Sequence, residues 1–94
     1  LKITVRKLTK EDIKKRKLPN QTTGLVVTQI GNSSPLLNSI SPDSIIVEAQ
    51  KTKIINVSDL ERVVKKVLNS NQKTILFAIY NVQNQRRYIG VKLD

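Results

Sequence analysis

The chain of 94 residues has no cysteine and no histidine. It therefore offers no thiol nucleophile, no imidazole base and no serine relay built on histidine. The two commonest transition-metal ligands are missing with them. Catalysis by this chain alone is not expected, and neither is a bound metal or other cofactor. The lack of cysteine also removes disulfides as a sign of redox compartment. Aromatics are scarce as well. Phe77, Tyr80 and Tyr88 are the only ones, too few for the platform of exposed rings on which single-stranded nucleic acid stacks. No apolar run approaches the roughly 18 residues of a membrane-spanning helix.

Acidic residues are few too: 7 Asp and Glu stand against 17 Lys and Arg, a net charge of +10 and a pI near 10.2. Anionic partners must be weighed. The length suits one domain spanning 1–94, and the hydrophobic share of 38% still includes long Ile, Leu and Val segments able to build a core. Leu1 stands inside a strand-like segment, which suggests a fragment of something longer.

Residues 1–8 alternate, with Leu1, Ile3 and Val5 pointing one way and Lys2, Thr4 and Arg6 the other, the pattern of a half-buried strand. Thr9 stands three residues before Asp12, and Leu8 can staple onto Ile13, so a short helix is expected from Thr9 to Leu18, stopped by Pro19. Leu25–Ile30 reads as a central strand. Gly31–Pro35 breaks it, and Ser34 is placed to cap a short helical turn from Leu36 to Ser39. A turn at 41–44 leads into a strand over Ile45–Gln50, and Lys51-Thr52 turns the chain into a brief strand over Lys53–Ile55.

Asn56 or Ser58 then caps the longest helix, which reaches about Asn69. Its apolar residues span a wide arc, with Val57, Val64 and Leu68 at one edge and Leu60, Val63 and Val67 towards the other. One edge is free to face something other than the core. Thr74–Tyr80 and Arg86–Leu93 complete a final hairpin. Five or six short strands and two helices imply an α+β domain, a small, partly open antiparallel barrel or sandwich capped by helices.

This order, with Gly24–Ile30, Asn32-Ser33-Ser34-Pro35, Ser41–Glu48 and Val57-Ser58-Asp59-Leu60-Glu61, resembles a PDZ domain. It is most similar to the second, C-terminal PDZ domain of bacterial HtrA/Do-type periplasmic serine proteases. The resemblance covers the whole chain and implies the permuted bacterial strand order, in which the first strand receives a peptide. It also implies a periplasmic location, a parent endopeptidase whose catalytic domain lies upstream, and partners of two kinds: peptides or unfolded protein segments, and other PDZ or protease domains of the same oligomer.

By the resemblance the peptide lies along Ile3, Thr4 and Val5, opposite Val57, Glu61, Val64 and either Lys65 or Leu68 of the long helix. Leu1, Lys2 and Ile3 stand where the family binds a terminal carboxylate with backbone amides. Lys2 takes the place of the usual glycine there, and a left-handed conformation would cost a lysine roughly 1–2 kcal/mol. The competing reading makes Ile3, Val5 and Val64 ordinary core residues. A rival function is a basic nucleic-acid-binding α/β domain, centred on Lys14-Lys15-Arg16-Lys17; a solvated helix face is the simpler account of that run.

Overall fold

The computed structural model describes residues 2–93. Its elements are β1 (Ile3–Lys7), α1 (Lys10–Arg16), β2 (Leu25–Ile30), β3 (Ile45–Ala49), β4 (Thr52–Lys53), α2 (Val57–Leu68), β5 (Thr74–Tyr80) and β6 (Arg86–Lys92). All strand pairings are antiparallel in one sheet ordered β1-β2-β3-β5-β6, with β4 beside β3. The fold is α+β, as the order of elements implies.

Alternation along the central strands feeds two apolar layers. Leu25 and Val27 of β2 and Ile46 of β3 face the main core with Phe77, Ile75, Leu36 and Ile54, against which α2 lays Leu60 and Val67. Val26, Ile45 and Val47 face the other way and meet Leu8, Ile13 and Leu18 around α1. The two helices thus cover opposite faces of the sheet. Gly24, just before β2, is fitted closely there: a Cβ would stand 2.5 Å from the Ile46 carbonyl oxygen.

Both helices begin with a reciprocal capping box. The Thr9 hydroxyl accepts from the Asp12 N–H, and the Asp12 carboxylate accepts from the Thr9 N–H; Asn56 and Asp59 do the same for α2. Each box satisfies two donors that a helix start otherwise leaves open. Asn56 is therefore the cap of α2, and Ser58 lies inside the helix.

Three local expectations need correction. First, α1 is shorter than Thr9–Leu18. Lys17 at φ 56° ends it, with Lys17 N–H to Lys14 O and Leu18 N–H to Ile13 O, the pair of bonds that closes a helix on a left-handed residue. Pro19 follows a stop already made. Second, residues 36–39 form successive turns and no helix. The Ser34 hydroxyl still accepts from Leu36 N–H at 3.1 Å, but only Ile40 N–H reaches back four residues, to Leu36 O. Third, β3 stops at Ala49 because Gln50 and Lys51, at φ 52° and 62°, make the tight turn themselves. Two successive left-handed residues match the twist of a two-residue hairpin.

Candidate functional site

β1 is a terminal strand of the sheet, so among the described residues only one of its edges is paired. Lys2 O accepts from Gly31 N–H at 2.8 Å and Leu8 N–H donates to Gly24 O at 3.0 Å. With strict alternation between those two bonds, the even-numbered residues turn their backbone groups towards β2. The N–H and C=O of Ile3, Val5 and Lys7 therefore face outward along the free edge. A strand edge in this state is a template for another extended chain.

Beside that edge runs an open groove of about 360 Å³. Ile3 and Val5 of β1 form one wall, and Val57, Leu60, Val64 and Leu68 of α2 form the other. The spacing of the four helix residues places them on one side of α2. Leu60 is also part of the packed core, whereas Val57 is 41% and Leu68 is 50% exposed. These are large apolar side chains left in water at the lip of an apolar trough. Glu61 and Lys65 stand among them, and Lys2 lines the groove at the start of β1.

Of the residues expected from sequence, the groove brings together Lys2, Ile3, Val5, Val57, Glu61, Val64 and Lys65. Thr4 is not among them. It falls on the alternate face, and its carbonyl accepts from the Thr28 hydroxyl at 3.1 Å, on the β2 side. Leu1 lies outside the described residues. Leu60, assigned from its position in the arc to the core edge, serves both core and groove. The signal was present: it is three residues after Val57 and four before Val64.

Lys2 has φ 55°, in the left-handed region that is costly for a lysine. Its ammonium donates to the Ser33 hydroxyl at 3.1 Å. Gly31 lies against the same residue, so closely that a Cβ there would come within 2.8 Å of Lys2 O. The entrance to β1 is thus held by a hydrogen bond from Gly31 and a side-chain tether to Ser33.

The basic run on α1 is not uniform. Arg16 Nε donates to Asn84 Oδ1 at 3.0 Å, and its two terminal nitrogens reach the carbonyls of Asp43 and Asn81 at 2.6 and 2.7 Å. It ties α1 to the 41–44 turn and to the β5–β6 hairpin. Lys10, Lys14 and Lys17 surround a separate shallow hollow floored by Ile13 and Leu18. Among the described residues no group of His, Cys, Asp or Glu could hold a metal ion, and no helix is long and apolar enough to cross a membrane.

No family model and no curated protein matches the sequence. The fold matches a solved structure described as "HtrA-type protease AlgW with decapeptide", with a TM-score of 0.73 and 18% identity. The match takes in 98% of this chain and 27% of that one. The chain has a PDZ-like fold. It corresponds to about a quarter of the length of its neighbour, a segment of the size of one such domain.

Proposed function

We propose that this chain is a non-catalytic peptide-binding PDZ domain, the C-terminal one of an HtrA/Do-like periplasmic serine endoprotease. One observation carries the reading: the free edge of β1 looks onto the apolar groove of α2. A guest segment added to that edge exchanges hydrogen bonds with Ile3 and Val5, while its alternate side chains enter the space between Val5, Val57, Val64 and Leu68. Burying an apolar side chain there contributes about 1.5–3 kcal/mol before the cost of ordering the guest. The neighbouring HtrA-type protease was solved with a decapeptide, which supports a peptide as the ligand class. Handling of unfolded substrates and contacts between domains of an oligomer are the roles proposed for the groove within the parent protease.

The test is a titration of the isotope-labelled chain with peptides ending in apolar residues. Amide shifts are expected at Ile3, Val5, Val57 and Val64, and their absence at millimolar peptide overturns the reading. Comparing free-acid with amidated peptides examines the Lys2 end of the groove: tighter binding of the free acid is expected, and equal affinity removes its carboxylate-binding role.

A further inference from the structure

Three acidic residues of this protein pair with arginine. Asp12 pairs with Arg6 at 2.7 Å, Asp59 with Arg62 at 3.4 Å and Glu48 with Arg86 at 3.3 Å. Among the described residues no lysine makes an ion pair. Two of these unneutralised lysines line the groove: Lys2 at the start of β1 and Lys65 on α2. Among the described residues the groove's one carboxylate is Glu61. A guest strand would therefore lie in a trough that is apolar along its floor and positive around its rim, on a chain of net charge +10.

We infer that the groove selects extended segments whose apolar side chains alternate with carboxylates, and that it discriminates against basic ones. This rests on the peptide-groove reading above. The period of two in a strand decides the geometry: residues that drop apolar side chains into the trough leave their neighbours directed away from it, near the rim. Carboxylates there lie within the unscreened field of the Lys2 and Lys65 ammonium groups at low salt, whereas lysines meet repulsion. Charge complementarity of this kind governs partner choice and encounter rate more than maximal affinity.

The experiment uses three short peptides with identical apolar residues at alternate positions and the same free C-terminus, the intervening residues being glutamate, serine or lysine. Binding to the 94-residue chain is measured in low and high salt. At about 50 mM salt the glutamate peptide is expected to bind about five- to tenfold more tightly than the serine peptide, with the lysine peptide weakest. At about 1 M salt, where charges more than about 3 Å apart are screened, the three should converge. Lys65→Glu should narrow the low-salt preference and Glu61→Lys should widen it; both positions are exposed, so the fold is expected to survive.

If the serine peptide binds and the charged peptides stay within about twofold of it in low salt, the charge selection is wrong and the groove reading stands. A glutamate preference that persists in high salt, or is unmoved by both substitutions, also overturns it, because the rim charges would not be its source. If none of the three binds, the groove reading falls together with the inference.

Discussion

The two helices start alike and end differently. Each opens with a capping box on a carboxylate, yet α1 goes on to commit its remaining groups. Its staple residues Leu8 and Ile13 are packed under the sheet, its end is closed by Lys17, and Arg16 is bonded to two loops. α2 buries Leu60 and Val67 and leaves Val57 and Leu68 largely in solvent. Apolar surface that stays uncovered on an otherwise finished helix is a better mark of a binding face than charge, because solvated lysines need no partner. The dense basic run on α1, conspicuous in sequence, includes an arginine that works as a structural tie.

The sharpest way to break this contrast lies within α2 itself. Leu60→Ala should destabilise the fold by about 2–4 kcal/mol, since it empties a site only 5% exposed. Leu68→Ser should change stability by no more than about 0.5 kcal/mol while weakening peptide binding about tenfold. Chemical denaturation and peptide titration on the same two variants check both outcomes. Equal stability losses would mean that the outer edge of α2 is core.

On α1, Arg16→Ala removes three hydrogen bonds and should cost about 2 kcal/mol in denaturant unfolding. Peptide affinity should stay unchanged, because the tie lies on the opposite face of the sheet.

A smaller, pH-dependent effect lies at the start of α1. The Arg6 guanidinium, at 2.7 and 2.9 Å, holds the Asp12 carboxyl well below the usual carboxylate range, with the Thr9 N–H and hydroxyl adding to it against the opposing effect of burial. A depressed carboxyl stabilises the folded state above its unfolded pKa of about 3.9 and loses that contribution as pH falls towards the folded value. Arg6 is 48% exposed, which limits the ion pair's share. Asp12→Asn should therefore cost about 1 kcal/mol at neutral pH, and the gap from the parent chain should close below about pH 4. Urea unfolding at several pH values measures it.

What could be read from sequence follows from how local each cause is. The strands over 25–30 and 74–80, the capping box of Thr9 and Asp12 and the divided face of α2 rest on periodicity and on residues a few positions apart. Periodicity put Val57, Val64 and Leu68 on one edge of the helix, but it was the resemblance that set that edge opposite Ile3 and Val5 as a groove. The stop at Lys17 and the turn at Gln50-Lys51 were not legible, because left-handed backbone at lysine and glutamine carries no composition signal. The role of Arg16 was hidden by distance, since its carbonyl partners Asp43 and Asn81 are remote in sequence. Thr4, on the opposite face by the alternation of β1, entered only as part of the segment that the resemblance sets along the peptide.

The pairing of β1 with β2 shifts register between Thr4 and Val5, and the extra residue, Thr28, sits in β2. The irregularity is thus absorbed on the inner flank. Ile3, Val5 and Lys7 keep an unbroken two-residue rhythm on the outer one, so an incoming chain would read an even ruler, with no slip to accommodate and one register to settle into.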